Sequence, residues 1–392
     1  MTALADLSVD AGINVVPGQT VIVSAKLGQE ELARAIAAAC YDRGAHQVQV
    51  DYADPYVGRA RLQRAPEAAL GSVIPWERQR PGQMAEMKAA WIGLSGPAAP
   101  GLLDDLDAGR IGRDSVALVE WAEVIDRGQI SWTIIPGPTE AWARLVFGQS
   151  ESDPLDALWA KIANVCRLDE PDPAAAWWQR STQLREAADR LSAAQLDSLH
   201  FRGPGTDLVV GLLPGLQWHG GGLTNAWGRD HVPNLPTEEV FTSPDPERTE
   251  GTVTSTKPLL VTGRVVSGLR IRFEGGRAVQ IDADEGASLL REVIRRDLDA
   301  DRLGEVALVD GSGRVGRTGT VFHDTLLDEN AASHIALGSG FQHLATDDAG
   351  AARVNSSGVH TDFMIGGPDV DVTGTTRDGR EVPVLTGGEW SV

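Results

Sequence analysis

Apolar and polar residues in the first third of the chain follow two alternating periods. Short β-type runs predict strands, and the clearest of them are TVIVSA (20–25), HQVQVDY (46–52), AAWIGLSG (89–96) and ISWTIIPG (130–137). EELARAIAAACYDRGA (30–45) has the period of an amphipathic helix that ends at Gly44, and helical patterns recur around 101–125. Strands that alternate with helices predict βαβ units and a parallel sheet.

The pattern changes after a mostly helical stretch between 138 and about 197. Gly, Thr and short β-branched runs then dominate, as in 251–282, where EGG and VSG separate alternating runs and predict hairpin turns. We therefore predict a chain of α/β and α+β class. An N-terminal α/β domain with a parallel sheet (1–192) precedes a C-terminal, strand-rich α+β domain (193–392).

The composition narrows the class of protein. Apolar residues make up 42% and charged residues 23% of the 392 positions, as is typical of globular proteins. No apolar run reaches the ~18 residues that cross a bilayer, and the N-terminus does not resemble a secretory signal. Cys40 and Cys166 form neither a disulfide framework nor a CxxC site. We expect a cytoplasmic protein without a membrane partner.

The formal charge of −20 argues against a nucleic-acid partner, because phosphate binding needs a basic surface. A negative site attracts cationic groups such as a free amino terminus. General acidity of the host's proteins would explain the same charge, so the charge alone does not identify a substrate.

Residue types that ligate metals cluster in the second half of the chain. They are Glu329 and His334 in DENAASH (328–334) and His360 and Asp362 in VHTDFMIGG (359–367), with Glu239 and Glu305 further upstream. Carboxylates and imidazoles without a nearby cysteine suit a pair of divalent metals. A metal pair suits hydrolysis, because it can activate a water and polarise a carbonyl.

The local patterns suggest how these side chains would meet. VHTDFMIG predicts a strand, which places His360 and Asp362 on one face. Residues 328–338 have a helical composition, so Glu329 and His334 would be offset by more than one turn and would address different metals ~3.5–4 Å apart. Glu305 lies at the start of a predicted strand, EVALV.

Each candidate also has an ordinary structural interpretation. An HxD pair on a strand is often only hydrogen-bonded, and Glu329 would suit the N-terminus of a helix. Glu238 and Glu239 would suit a solvated loop. Only the combination of these positions favours metal ligation.

Several long motifs occur in an order that resembles a known family. They are FRGPGTDLVVGL (201–212), PTEEVFT (236–242), LGEVALV (303–309), LLDENAASHIALG (326–338) and VHTDFMIGG (359–367). They resemble the thermophilic metalloaminopeptidases of the aminopeptidase T and aminopeptidase S type, and the resemblance covers most of the chain. It implies a homodimer of two-domain subunits, which removes N-terminal residues from peptides with a free N-terminus. It also implies two divalent metal ions (zinc, cobalt or magnesium) in the C-terminal domain.

The resemblance also implies roles for individual residues. The metal ligands would be Glu239, Glu305, Glu329, His334, His360 and Asp362. Glu305 would bridge both ions, a metal-bound water would attack the peptide, and Glu238 would shuttle a proton.

One catalytic position departs from the family pattern. The family has a catalytic tyrosine about seven residues after the histidine of the DENA motif, and this chain has Phe341 there. A phenolic hydroxyl can stabilise an oxyanion, and the loss of such a donor typically costs about 10²–10³ in turnover. Either His343 or a water substitutes for it, or the protein is a poor peptidase.

Two other functions stay open at this point. The same pattern resembles iron-dependent ring-opening dioxygenases acting on dihydroxypyridines, in which His334, His360 and Asp362 would bind iron. A degenerate, non-catalytic homologue would also explain Phe341. Retention of PTEEVFT and of the additional glutamates favours the dinuclear peptidase.

Overall fold

The computed structural model describes residues 1–114 and 119–391. Its N-terminal part contains a parallel sheet with the strand order β2-β1-β3-β4. The strands are β1 (Thr20–Lys26), β2 (Gln47–Ala53), β3 (Ala90–Ser95) and β4 (Ser131–Pro136). They coincide with the strands predicted from the pattern, and the parallel sheet is confirmed.

Helices connect and cover this sheet. They are α1 (Thr2–Leu7), α2 (Glu30–Asp42), α3 (Pro55–Arg64), α4 (Pro75–Glu86), α5 (Ala108–Asp114), α6 (Val119–Asp126), α7 (Glu140–Phe147), α8 (Pro154–Val165) and α9 (Pro173–Ala193). Asp-Pro pairs begin α3, α8 and α9, where the aspartate accepts a backbone N–H and the proline is preorganised for the first turn. Part of the helical pattern predicted around 101–125, residues 115–118, lies outside the described residues.

The C-terminal part is rich in strands. They are β5 (Leu196–Gly203), β6 (Thr206–Leu212), β7 (His219–Gly220), β8 (Leu223–Thr224), β9 (Asp230–His231), β10 (Glu239–Thr242), β11 (Pro244–Thr254), β12 (Leu259–Val261), β13 (Arg264–Val266), β14 (Arg270–Glu274), β15 (Arg277–Asp282), β16 (Leu303–Val309), β17 (His334–Gly338), β18 (His360–Met364), β19 (Asp371–Thr376), β20 (Glu381–Thr386) and β21 (Glu389–Trp390). Its helices are α10 (Ala287–Ile294), α11 (Arg314–Arg317), α12 (Thr325–Glu329) and α13 (Asp348–Ala351).

Most strands of the C-terminal part belong to two antiparallel sheets. One has the order β18-β17-β16-β10-β7, and the larger has the order β15-β14-β11-β6-β5-β19-β20-β21. The predicted class, a parallel α/β part followed by a strand-rich α+β part, is confirmed. The hairpin turn predicted at EGG is confirmed, because EGG joins the paired strands β14 and β15. The hairpin turn predicted at VSG was wrong, because the preceding strand β13 pairs with β12, and the tight turn of that hairpin lies at Thr262–Gly263.

Helix α9 packs against both parts of the chain. Its Trp177 belongs to the hydrophobic cluster around the parallel sheet, whereas Leu184 and Leu191 belong to the cluster of the C-terminal sheets. The helix ends at Ala193 and β5 begins at Leu196, close to the expected boundary at 192. The division into domains 1–192 and 193–392 stays a prediction.

Candidate metal centre

Strand register brings the candidate ligands to one face of the smaller C-terminal sheet. Glu305 on β16 lies opposite Ala336 on β17, which in turn lies opposite Asp362 on β18. Directly opposed residues of antiparallel strands share a face. His334 and His360 are each two residues from a member of this row, so they share that face as well. The strand and the shared face predicted for His360 and Asp362 are confirmed.

Glu239 reaches the same face from β10. It pairs with Val309, which is four residues after Glu305 on β16. An even spacing along a strand returns the side chain to the same face. Glu239 and Glu305 are both nearly excluded from solvent.

The segment DENAASH does not form the helix predicted for 328–338. Helix α12 ends at Glu329, and His334 begins strand β17. Because β17 lies between β16 and β18, Ile335 and Leu337 are buried and paired on both sides, and this tertiary pairing overrides the helical composition. Glu329 therefore approaches the cluster from a helix end, and the other candidate ligands approach it from the sheet.

Small residues leave space between the ligands. Ala336 separates Glu305 from Asp362 and is completely buried. Gly338, opposite His360, has a φ of +103°, and a Cβ there would lie 2.0 Å from the carbonyl oxygen of Val359. Larger side chains at these positions would collide with neighbouring groups or fill the space in which the ligands meet.

Both imidazoles are oriented by backbone carbonyls. Nδ1 of His334 lies 3.1 Å from the carbonyl oxygen of Glu329, and Nδ1 of His360 lies 2.9 Å from that of Ser339. A carbonyl oxygen only accepts, so Nδ1 must donate in each case. Nε2 of each histidine is therefore directed toward the carboxylates, as in histidine metal sites whose second nitrogen is fixed by a backbone acceptor.

The distances around Nε2 define the centre. His334 Nε2 lies 3.2 Å from Glu239 Oε2 and 3.9 Å from Glu305 Oε1. His360 Nε2 lies 3.1 Å from Glu305 Oε2 and 3.2 Å from Asp362 Oδ1. The two oxygens of Glu305 thus face different imidazoles.

Protonation reflects this crowding of charge. Burial lowers the pKa of His334, but the hydrogen bond and charge of Glu239, with the charges of Glu305 and Asp362, outweigh it and raise the pKa to about 10. The pKa of His360 is also raised, because Asp362 and Glu305 outweigh the effect of burial. Burial, with the negative charges of Glu239 and Asp362, raises the pKa of Glu329 well above its usual value. Surroundings that hold protons on both imidazoles favour a cation at the same place.

The donors fit a metal centre. Among the described residues, overlapping sets whose ligand atoms lie within 4.8 Å of one another are Glu239–Glu305–His334, Glu305–His360–Asp362 and Glu329–His334–Asp362. Oxygen and imidazole donors without thiolate suit divalent ions such as zinc, cobalt and magnesium. The chain therefore contains a cluster of carboxylate and histidine side chains that is suited to bind metal.

Glu238 lies outside this cluster. Its carboxylate, 0% exposed, accepts from Arg167 Nη2 at 2.8 Å and from Arg180 Nε at 2.7 Å. Its backbone N–H donates to Asn330 Oδ1. Both oxygens are thus held by guanidinium groups in a buried ion pair, and the proton shuttle expected from the sequence stays a prediction.

Phe341 lies at the edge of the centre. Its ring centroid is 5.8 Å from that of His360 and 4.9 Å from that of Phe241. His343, expected as a possible substitute for the missing tyrosine, contacts the Phe341 ring and binds Asp126 of α6 through Nδ1 at 2.7 Å. Phe341 thus occupies the expected position but supplies no hydrogen-bond donor.

Sequence patterns did not identify Ala336, which lies between two candidate ligands, or Asp324, whose carboxylate accepts from Ser95 and Gly96 beside helix α12. Ala336 gave no signal, because its position between Glu305 and Asp362 depends on the pairing of β17 with β16 and β18. Asp324 gives no local signal, because its partners Ser95 and Gly96 are more than 200 residues away.

The family model described as thermophilic metalloprotease (M29) matches residues 1–390. The chain belongs to this family. The expected resemblance and enzyme class, a metallo-aminopeptidase hydrolase, are confirmed, whereas the ring-opening dioxygenase receives no support.

Similar proteins extend over nearly the whole chain. Aminopeptidase T of Thermus thermophilus is 40% identical over 99% of this chain and 98% of its own length. Aminopeptidase AmpS of Bacillus subtilis is 33% identical over 100% and 98%, respectively. The solved structure of wild-type AmpT from Thermus thermophilus matches with a TM-score of 0.89 and 39% identity, and covers 100% of this chain and 98% of that one. Within the described residues, no helix is long and apolar enough to cross a membrane.

Proposed function

We propose that this protein removes N-terminal residues from peptides with a free N-terminus, with two divalent metal ions in the centre. The observation that carries the dinuclear proposal is the position of Glu305. Its Oε1 faces His334, and its Oε2 faces His360. One carboxylate between two imidazoles is suited to bridge two ions.

The remaining donors would be shared between the two ions. Glu239 and His334 would hold one ion, and His360 and Asp362 the other, while Glu329 approaches His334 and Asp362. Zinc, cobalt and magnesium are the proposed metals. Two ions of this kind polarise a scissile carbonyl and lower the pKa of a coordinated water.

The chain's own residues would bind and orient the substrate. The carboxylates Glu239, Glu305, Glu329 and Asp362 form a negative centre, and a free α-ammonium group is the complementary charge. The Phe341 ring beside His360 gives this centre an apolar edge. An N-terminal amine would thus be selected by charge, and an acetylated terminus would lose that interaction.

The experiment compares matched substrates. Metal-depleted protein is reloaded with Zn²⁺, Co²⁺ or Mg²⁺ and supplied with aminoacyl p-nitroanilides, dipeptides and their N-acetylated counterparts. We expect metal-dependent release of the N-terminal residue from the free substrates only. An absence of release with every metal, or equal rates on acetylated substrates, would reject the proposal.

Other expectations from the sequence stay predictions. They are the homodimer, the cytoplasmic location and the choice among zinc, cobalt and magnesium.

A further inference from the structure

A cavity of about 370 Å³ opens beside the metal centre. His360 and Asp362 line one side of it. Leu260 and Val261 of β12 and Val293 of α10 line another side. A cavity of this size is at the lower end of the range for small-molecule sites, so a short ligand fits it better than a long one.

Arg296 contributes a guanidinium to the wall of this cavity. It follows the C-terminal end of α10 and is half-buried. Within residues 1–114 and 119–391, no hydrogen bond or ion pair is formed by its guanidinium. Neighbouring Arg295, by contrast, pairs with Glu292 at 2.7 Å.

The adjacent carboxylate is already engaged. Asp297 Oδ2 accepts from Ser357 Oγ at 2.9 Å and from the backbone N–H of Gly358 at 3.0 Å. These bonds hold the segment that leads into β18 and His360. Asp297 is therefore engaged by that segment, and within the described residues the Arg296 guanidinium has no carboxylate partner.

The environment of Arg296 favours an anionic ligand. Burial lowers the pKa of its guanidinium, with a smaller opposing effect of Asp297. Arginine nevertheless stays charged in proteins, so burial removes water from this guanidinium, and no carboxylate of the described residues takes the place of that water. A carboxylate that binds both arms of the fork would restore those hydrogen bonds.

We propose that Arg296 binds a carboxylate of the substrate and so selects short or acidic peptides. This inference rests on the proposed peptidase function. The carboxylate is either the C-terminus of a dipeptide or tripeptide or the side chain of an Asp or Glu near the cleaved bond. Both present the same planar anion to the same fork.

The test uses pairs of substrates that differ only in this charge. Ala-Ala is compared with Ala-Ala amide for the terminal carboxylate, and Ala-Glu amide with Ala-Gln amide for the side chain. Alanine p-nitroanilide, which has no carboxylate, is the reference substrate. The proteins are wild type, Arg296→Gln, Arg296→Lys and, as a matched control on the same segment, Arg295→Gln, all loaded with metal.

We expect the wild type to prefer one or both carboxylate substrates by about ten- to one-hundred-fold in kcat/KM, mainly through KM. Arg296→Gln should abolish this preference while hydrolysis of alanine p-nitroanilide stays within about two-fold, a lysine should restore part of it, and Arg295→Gln should keep it. Preference in the first pair identifies the terminal carboxylate, and preference in the second identifies the side chain. Equal rates within both wild-type pairs, or a preference that survives Arg296→Gln, would overturn the proposal.

A binding measurement separates this inference from the proposed function. If the wild type hydrolyses none of the substrates, including alanine p-nitroanilide, the peptidase proposal fails. Calorimetric titrations with Ala-Ala and with Ala-Glu amide then decide the role of the arginine. Binding of either ligand at least about ten-fold tighter in wild type than in Arg296→Gln supports it, and equal or absent binding of both overturns it.

Discussion

The backbone N–H of Gly96 donates to the carboxylate of Asp324 over 2.8 Å and so joins the parallel sheet to helix α12. Gly96 follows β3, and Asp324 precedes the helix that ends at Glu329. Ser95 Oγ donates to the other oxygen of Asp324, and Lys26 Nζ donates to the carbonyl of Gly96. The carboxyl edge of a parallel sheet is the usual place for a ligand. Here part of that edge anchors a helix that carries a candidate metal ligand.

The contacts of Asp324 with Ser95 and Gly96, called the Asp324 anchor, should make the stability of the protein depend on pH. Burial, opposed by the charge of Lys26, raises the pKa of Asp324 to about 6 from a usual value of 3.8. The folded protein therefore binds more protons than the unfolded chain between these pH values, and the contribution of Asp324 to stability falls as pH rises through this window. Asp324→Asn removes this dependence.

Urea unfolding of metal-free protein at pH 4, 5, 6 and 7 tests this effect. The unfolding free energy of Asp324→Asn minus that of wild type should rise by at most about 3 kcal/mol between pH 4 and 6 and then level off. Asp348→Asn, at an exposed carboxylate of α13, is the control, and a rise of the same size in this variant would mean that the effect is not specific to Asp324. A difference for Asp324→Asn that is independent of pH would contradict the raised pKa of Asp324.

Metal binding should release protons. The pKa of His334 is about 10 and that of His360 is also raised, whereas metal-bound imidazoles must be neutral. Below pH 10, a cation must therefore displace at least one proton, and the apparent affinity should increase with pH from about 7 to 9. Zinc titrations of the metal-free protein in buffers of different ionisation enthalpy measure the number of protons released per bound ion. An affinity that is flat over this range, with no proton release, would show that these imidazoles are not the ligands.

The small residue between Glu305 and Asp362 should be essential for metal affinity. Ala336→Leu adds a side chain to the face on which the ligands meet, so we expect metal affinity to fall at least about ten-fold, with an overpacking cost of about 1–3 kcal/mol. Ile335→Val, on the opposite face of β17, should cost about 0.5–1.5 kcal/mol and leave metal affinity unchanged. Calorimetric zinc titration with urea unfolding measures both effects. Undiminished affinity in Ala336→Leu would place the metal elsewhere.

Phe341→Tyr should restore a hydrogen-bond donor at the edge of the centre. The ring lies beside His360, and one such donor is typically worth about 10²–10³ in turnover. We expect kcat on alanine p-nitroanilide to rise by at least about ten-fold, with little change in the free energy of unfolding. Phe241→Tyr, on the ring that packs against Phe341, is the control and should not raise kcat.

An unchanged kcat in an active Phe341→Tyr protein would mean that the chain does not lack this donor. If wild type and variant are both inactive with bound metal, the non-catalytic homologue becomes the better account.

Local periodicity predicted those features that depend on neighbouring residues. The strand through His360 and Asp362 follows from a two-residue period, and the helix after Gln29 follows from a 3.6-residue period. The pairing of β17 between β16 and β18 is not local, so the helical composition of DENAASH gave the wrong element.

The neighbouring acids Glu238 and Glu239 illustrate a second limit. Near the start of β10, adjacent side chains leave in different directions, and one reaches His334 while the other reaches Arg167 and Arg180. The sequence does not contain the position of either partner relative to the strand. Charge alone therefore could not assign one acid to the metal and the other to an ion pair.

The central claim is that Glu305 joins two metal sites, and titration of metal-free protein with Co²⁺ tests it most directly. Visible absorption of bound cobalt and elemental analysis after dialysis give the number of ions per chain. We predict two ions in wild type and the loss of at least one in Glu305→Gln, with both proteins folded by circular dichroism. A wild type that retains no cobalt, or a Glu305→Gln variant that binds the same number of ions with the same spectrum, would contradict the account.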